Sequence, residues 1–165
     1  MDFTTTLDNF IKDLLSKGRS TSTMVAYRKD ISQLNDFLSQ RNISDFKQAS
    51  LSDLSDFLKG FEEKSYTPKS VSRKINSLKT FYSFLKKENL ITDDISQEIT
   101  HPKIDVRAPR ALKNVEYRAL RDACRSDKRL FAIVELLLQT GMRIGELARI
   151  RIEDLQFNQA GIGKI

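Results

Sequence analysis

The chain has 165 residues, which suits one ordinary domain or two small ones, and it is 39% apolar and 30% charged. It has no apolar run long enough to span a membrane, and its amphipathic, acid-containing N-terminus is unlike a signal peptide. Its single cysteine, Cys124, cannot form an internal disulfide bond, as is usual in reducing compartments. We therefore expect a cytoplasmic protein.

Four segments of the first hundred residues carry apolar side chains at helical spacing. They lie near residues 5–17, 22–40, 52–63 and 68–89. Gly18 is suited to end the first helix, the hydroxyls of residues 20–23 to cap the second, and Thr67 before Pro68 to begin the fourth. Because these apolar stripes can bury one another, residues 1–91 are predicted to form a four-helix domain.

The third and fourth predicted helices carry charges of opposite sign. The third is acidic apart from Lys59, and the fourth is basic apart from Glu88. A basic face suits the phosphates of DNA, although a surface charged in this way by chance is equally compatible with the charges alone. Together with the hydroxyl-rich start of the second helix, it predicts that the second and fourth helices face DNA. The predicted contacts are Ser22, Thr23, Arg28, Lys69, Ser70, Arg73, Lys74 and Lys79.

The stretch from residue 92 to 111 contains two prolines and no sustained periodicity, so it is predicted to be an extended linker. It holds the chain's lone histidine, His101, which we expect to be exposed. A histidine-based metal site or catalytic triad is therefore not expected. Residues 112–165 form the second predicted domain. Helices are expected there near residues 114–126, 128–139 and 144–149, with a short strand at the end.

The most informative motif spans residues 139–155, QTGMRIGELARIRIEDL. Gly141 can turn the chain sharply at low steric cost, and Arg143 follows at the start of the next helix. An arginine at a helix N-terminus adds its charge to the backbone N–H donors there, which suits a phosphate. Glu146, three residues later, can reach back and hold the guanidinium still. A structural turn that carries a surface arginine is the simpler alternative.

The pattern T-G-x-R-x-x-E-L, with D-L after a short spacer, resembles the first conserved box of the tyrosine recombinase, or phage integrase, family. The segments STSTMVAYRKDI and VSRKINSLKTFYSFL resemble helices two and four of that family's core-binding domain. Because the chain opens directly with these helices, it resembles the simpler Xer-type members. The resemblance implies that Arg143 contacts the scissile phosphate and that Glu146 is a supporting residue.

The resemblance implies a mainly α fold, with a four-helix, SAM-like core-binding bundle at residues 1–91 and an interdomain linker at residues 92–111. Residues 112–165 would then be the helical opening of an α+β catalytic domain, truncated. The implied function is site-specific DNA recombination or integration through a 3′-phosphotyrosyl intermediate, with no metal or other cofactor. The implied partners are double-stranded DNA and other recombinase protomers, which form tetramers on paired sites in this family.

The family's catalytic lysine, its H-x-x-R box and its nucleophilic tyrosine are not found in the sequence after the arginine box. Lys164 lies close to the expected hairpin but is not assigned as the catalytic lysine. All four tyrosines precede the box, and Tyr27 and Tyr82 lie on apolar stripes. We therefore expect this chain to bind DNA without cutting it. The rival hypothesis is a short, non-catalytic helical protein that binds DNA or regulates a partner recombinase.

Overall fold

The computed structural model describes residues 3–105, 108–157 and 163–164. The chain divides into two compact units, Met1–Val106 and Arg107–Ile165. Both units are built mainly of helices, as the sequence predicts. Within the described residues, no helix is both long enough and apolar enough to cross a membrane.

Four helices form the first unit, close to their predicted positions. They are α1 (Phe3–Ser16), α2 (Thr21–Gln40), α3 (Leu51–Glu63) and α4 (Pro68–Lys87). Gly18 turns the chain after α1 with a φ of 68°, a conformation that favours glycine. Ser20 and Thr67 cap α2 and α4, because each side chain accepts a hydrogen bond from the backbone N–H three residues later. The predicted caps are therefore confirmed.

The start of α3 is a capping box, in which Ser50 and Asp53 satisfy each other's backbone N–H groups. Ser50 Oγ accepts from the Asp53 N–H at 3.2 Å, and Asp53 Oδ2 accepts from the Ser50 N–H at 2.9 Å. Arg41, just after α2, donates to both Asp53 and Asp56. The pKa of Asp53 is lowered, chiefly by the hydrogen bond from the Ser50 hydroxyl and next by that from the Ser50 backbone.

The helices enclose a core rich in aromatic side chains. Phe10 of α1 and Phe46 each meet Phe81 of α4 edge to face, with ring centroids 5.2 and 4.8 Å away. Phe46 belongs to a 3-10 turn, Phe46–Gln48, which the periodicity does not predict. Burial of each large apolar side chain contributes about 1.5–3 kcal/mol, so these stripes hold the bundle together. The fully buried aliphatic residues are Leu14, Ile31, Leu34, Leu38, Leu54, Val71, Ile75 and Leu78.

The first part of the predicted linker packs onto this bundle. It forms a 3-10 turn, Ile95–Glu98, and the side chains of Ser96 and Ile99 are buried. The expectation of an extended segment is therefore wrong as far as Ile99, because such a short turn leaves no periodic pattern in the sequence. His101 is exposed, as predicted, and its Nδ1 lies 2.8 Å from the hydroxyl of Ser72.

The second unit contains three helices, as predicted, although the last is shorter than expected. They are α5 (Asn114–Cys124), α6 (Lys128–Thr140) and α7 (Ile144–Leu147). A 3-10 turn, Ile152–Asp154, leads into β1 (Gln156–Phe157), which pairs antiparallel with β2 (Gly163–Lys164). Among residues 108–156 of this unit, only Cys124 is buried. The apolar helix α6 is therefore only partly covered by the part of the chain that the structure describes.

Candidate nucleic-acid interface

The outward side of α4 is polar and basic. Lys69, Arg73 and Asn76 follow one another along it at helical spacing, and all three residues are exposed. Lys79 lies beside this line and is half-buried, with its Nζ 3.3 Å from the carbonyl oxygen of Gln97. Lys69 and Arg73 are therefore the cations that the first half of α4 offers to an outside ligand.

A buried carboxylate lies beneath this surface. Asp30 of α2 is 1% exposed, and its oxygens accept hydrogen bonds from three side chains of α4. Arg73 donates through Nη1 and Nη2 at 2.5 and 3.1 Å, Lys74 through Nζ at 2.8 Å, and Ser77 through Oγ at 2.7 Å. Burial of a carboxylate is tolerated because these donors replace its water. Sequence reasoning missed Asp30, although it lies four residues before Leu34 on the apolar stripe of α2.

Lys74 does not belong to the exposed basic surface, contrary to the prediction. The residue is 3% exposed, and its Nζ donates to Asp30 and, at 2.5 Å, to Gln33 Oε1. The same ammonium lies 4.2 Å from the ring centroid of Phe61. A phosphate cannot take this cation without leaving a buried carboxylate short of a partner, which is costly. Lys74 is therefore a core residue that supports the surface from below.

The remaining predicted contacts keep access to solvent, and Thr23, Arg28 and Ser70 also have local partners. Ser22 is exposed, and Arg28 donates to Asp8 at 2.8 Å in an exposed ion pair. The hydroxyl of Thr23 lies 2.8 Å from the hydroxyl of Ser20, which caps α2. The hydroxyl of Ser70 lies 3.0 Å from the hydroxyl of Thr67, which caps α4. Exposed contacts of this kind are weak, so a phosphate can replace them at little cost.

Arg143 stands at the start of α7, after a sharp turn at the end of α6. Gly141 makes this turn with a φ of 68° and donates its N–H to the carbonyl oxygen of Leu137 at 3.0 Å. Glu146 accepts hydrogen bonds from both the backbone and the side chain of Arg143. The arginine side chain is nevertheless 86% exposed. The predicted geometry of the arginine box is thus present, with the guanidinium oriented by a carboxylate and open to solvent.

Tyr27 and Tyr82 belong to the core, as predicted. The hydroxyl of Tyr82 is buried and lies 3.4 Å from the carbonyl oxygen of Phe46, and burial raises the pKa of the phenol. Tyr27 stacks on Phe10, with ring centroids 6.4 Å apart. The buried hydroxyl of Tyr82 is therefore not placed to attack an outside substrate.

Acids and the lone histidine are dispersed over the described residues. In that part of the chain, no three His, Cys, Asp or Glu side chains lie close enough together to hold a metal ion. The ionic contacts that the structure does gather are arginine and lysine pairs with carboxylates. The exposed guanidinium and ammonium groups of each unit, Arg73 and Lys69 in the first and Arg143 in the second, suit the recognition of anions.

Two family models match the chain. The phage integrase N-terminal SAM-like domain matches residues 7–89, and the phage integrase family matches residues 110–163. The first match contains most of α1, all of α2, α3 and α4, and the buried Asp30. The second contains the turn at Gly141 and the arginine box.

Curated relatives are similar along nearly the whole chain. The tyrosine recombinase XerC of Listeria innocua is 32% identical over 163 residues, which cover 94% of this chain and 54% of that protein. The tyrosine recombinase XerC of Roseiflexus is 30% identical over 155 residues, with 90% of this chain and 50% of that protein covered. The chain thus spans about half the length of the curated relatives that it matches.

Solved structures share the fold. A lambda integrase tetramer bound to a Holliday junction matches with a TM-score of 0.74 at 21% identity, over 99% of this chain and 50% of that chain. The Tn1549 transposon integrase in complex with circular intermediate DNA matches with a TM-score of 0.64 at 21% identity, over 93% of this chain and 51% of that chain. With a family model that covers the four-helix bundle and a second that covers the arginine box, the chain belongs to the phage integrase family of tyrosine recombinases.

Proposed function

We propose that this chain is the DNA-binding part of a site-specific recombinase or integrase. Residues 1–91 would act as the core-binding domain, residues 92–111 as the interdomain linker, and residues 112–165 as the start of the catalytic domain. The observation that carries the proposal is the exposed basic side of α4, where Arg73 is held by the buried Asp30. The DNA present in the lambda and Tn1549 integrase structures supports it.

The proposed DNA contacts come from the starts of α2 and α4. Guanidinium and ammonium groups bind phosphates, and hydroxyls near a helix start add hydrogen bonds to the same oxygens. Lys74 is left out of the proposed set because it is buried against Asp30. The proposed set is Ser22, Thr23, Arg28, Lys69, Ser70, Arg73 and Lys79.

Arg143 is proposed to bind the phosphate at which the DNA strand is cut. When a tyrosine hydroxyl attacks that phosphorus, it loses its proton and forms a 3′-phosphotyrosyl bond. The bond between phosphorus and the 5′ oxygen breaks, and that oxygen takes up a proton and leaves as a 5′ hydroxyl. Negative charge on the phosphoryl oxygens grows during this step, and a guanidinium already in place stabilises it. Glu146 supplies the placement through its two hydrogen bonds to Arg143. Because the arginine carries the positive charge, the proposal needs no metal or other cofactor.

The proposed partners are double-stranded DNA and further recombinase protomers. The lambda integrase with which this chain shares its fold forms a tetramer on a Holliday junction, which supports assembly on DNA. Because DNA is the proposed partner, the proposed place of action is the cytoplasm. None of the four tyrosines of this chain is proposed as the nucleophile. We therefore propose DNA binding for this chain, and DNA cutting and rejoining for the complete recombinase.

The salt dependence of DNA binding tests the proposed surface. Each phosphate contact adds about −0.9 to the slope of log affinity against log salt, so Lys69→Ala with Arg73→Ala should flatten the slope by about 2. Fluorescence anisotropy with a short, mixed-sequence DNA duplex would measure it. The double variant Lys59→Ala, Lys64→Ala is the control, because it removes the same charge from the acidic helix α3 and its end. Equal slopes for the two double variants would rule out this surface.

A further inference from the structure

We infer that Asp30 is a positioning residue for DNA binding, which orients the guanidinium of Arg73 from inside the protein. The inference rests on the proposed function, since it assumes that Arg73 contacts a phosphate. The contact between Arg73 and the phosphate would then also depend on an acidic residue that is buried and does not touch DNA. An acid in a DNA-binding surface would ordinarily be expected to weaken binding, because it repels phosphates.

The contacts of Asp30 join the buried interior to the exposed surface. Both nitrogens at the end of the Arg73 guanidinium donate to the two carboxylate oxygens, at 2.5 and 3.1 Å, in a bidentate pair. Asp30 is 1% exposed, whereas the Arg73 side chain is 45% exposed. One edge of the guanidinium is therefore fixed by the core, while further N–H donors remain accessible to solvent.

Lys74 and Ser77 fix the carboxylate in turn. Lys74 Nζ donates to Oδ1 and Ser77 Oγ to Oδ2, so each oxygen has a second donor besides Arg73. Gln33, on the same helix as Asp30, accepts from Lys74. A carboxylate held by these contacts cannot follow a moving guanidinium, and the arginine is confined to a narrow range of positions.

Confinement of Arg73 matters because a free arginine side chain loses conformational entropy when it is immobilised on a ligand. Arginine is among the side chains with the most rotamer freedom to lose. Part of this loss has already occurred in the unbound protein, so phosphate binding requires less further ordering. The ion pair therefore contributes by preorganisation, and its removal should weaken DNA binding even though it takes away a negative charge.

The substitution Asp30→Asn separates positioning from the effect of overall charge. It raises the formal net charge above +6, so an effect of charge alone would strengthen DNA binding. Positioning predicts the opposite. The matched control is Asp56→Asn, because Asp56 of α3 likewise pairs with one arginine and one lysine, Arg41 and Lys59.

The measurement is the affinity of the 165-residue chain for a short, mixed-sequence DNA duplex over a salt series. A slope of about −0.9 for one contact corresponds to about an eightfold change in affinity for each tenfold change in salt. We expect Asp30→Asn to weaken binding several-fold at about 0.1 M salt and to flatten the slope by up to about 1. We expect Asp56→Asn to bind as tightly as the unsubstituted chain or more tightly. If Asp30→Asn behaves like Asp56→Asn, the inference is overturned.

An Arg73→Ala background shows whether Asp30 acts through the arginine. There, Asp30→Asn should cause no further loss, whereas a second loss of the same size would mean that Asp30 acts by another route and would overturn the inference. The same background separates the two claims. If Arg73→Ala weakens binding but Asp30→Asn does not, positioning alone is wrong. If Arg73→Ala changes nothing, the proposed contact of Arg73 with DNA is wrong, and the inference falls with it.

Loss of folding is the remaining way in which Asp30→Asn could weaken binding, since it leaves the ammonium of Lys74 buried without its carboxylate. The double variant Asp30→Asn, Lys74→Met removes both buried charges and leaves the net charge unchanged. Circular dichroism would establish that it is folded, and Asp56→Asn, Lys59→Met is its charge-matched control. A folded Asp30→Asn, Lys74→Met chain that binds DNA as tightly as this control would overturn the inference.

Discussion

Glu146 contacts Arg143 at two points: its Oε2 accepts the arginine's backbone N–H at 2.7 Å, and its Oε1 accepts Nη1 at 2.9 Å. The carboxylate therefore holds both the backbone at the start of α7 and the head of the side chain. The first contact caps the helix, and the second orients the guanidinium. Both contacts favour the charged carboxylate, and the backbone hydrogen bond is the larger cause of the lowered pKa of Glu146.

The first prediction follows from the order of these two causes. A carboxyl NMR titration should give Glu146 a pKa below the ordinary glutamate value of about 4.3. In Arg143→Ala this pKa should rise only part of the way back, because the backbone N–H remains when the guanidinium is gone. A complete return to the ordinary value in Arg143→Ala would mean that the backbone contact is not formed in solution.

The second prediction concerns the capping box of α3 and its dependence on pH. The substitution Asp53→Asn should lower the free energy of unfolding of the first unit by about 1 kcal/mol near neutral pH, because it weakens the contacts to Ser50. The folded pKa of Asp53 is lowered, so its stabilising effect is fully present above the unfolded value of about 3.9. The effect is lost as the pH falls through the folded pKa.

Urea unfolding followed by circular dichroism, at neutral pH and at about pH 3, would measure this difference. The control is Asp56→Asn. This substitution also removes a carboxylate that accepts a hydrogen bond from Arg41, but Asp56 does not cap the helix. The difference between the original chain and Asp53→Asn should shrink at the lower pH. A difference that stays constant or grows on acidification would contradict the assignment of the cap to the charged carboxylate.

The third prediction concerns the stability of α6. Nine residues of α4 are buried, whereas no residue of α6 is buried within the described part of the chain. Each large apolar side chain that remains exposed to water fails to contribute about 1.5–3 kcal/mol to the free energy of unfolding. This is a large share of a typical total of about 5–15 kcal/mol. Hydrogen exchange should therefore be fast across residues 130–138 and slow across residues 75–85. Equal, strong protection of both segments in a dilute monomer would show that the second unit folds stably by itself.

The fourth prediction is that the 165-residue chain forms no covalent adduct with a nicked suicide DNA substrate. Tyr82 is buried, and the hydroxyl of Tyr117 accepts a hydrogen bond from Gln139 at 3.1 Å. Tyr27 is packed against the core, while Tyr66 is exposed next to Phe61. A phosphotyrosyl band on a denaturing gel would contradict the prediction, and Tyr66→Phe would then show whether the exposed tyrosine is responsible.

The sequence predicts α1 to α6 well because each of these helices carries an apolar stripe several turns long. It does not predict the turn that contains Phe46 or the packing of Ser96 and Ile99, because these segments are too short to show a period. Their burial depends on the shape of the bundle surface onto which they fold. The residues next to them in the sequence therefore do not predict these tertiary contacts.

The buried cluster of Asp30, Arg73, Lys74 and Ser77 could be predicted from the sequence only in part. Lys74 lies three residues after Val71 and four before Leu78, so it faces the same side of α4 as these core residues. The basic charge of the helix led to the opposite prediction. What the sequence alone could not give is the pairing of Lys74 with Asp30, 44 residues away, because the partner of a buried charge is fixed only when two helices pack.

The Asp30 cluster also determines how α2 and α4 can fit together. If α4 slid along α2 by a turn, about 5.4 Å, so that Asp30 lay opposite Leu78 and Phe81 instead of Lys74 and Ser77, the buried carboxylate and ammonium would lose each other. Removing one partner of a buried pair costs about 3–5 kcal/mol, so a shifted alignment that strands both would be heavily disfavoured. Apolar side chains alone discriminate less sharply between neighbouring alignments, because they tolerate repacking. The cluster therefore fixes the alignment of α2 and α4, the two longest helices of the bundle.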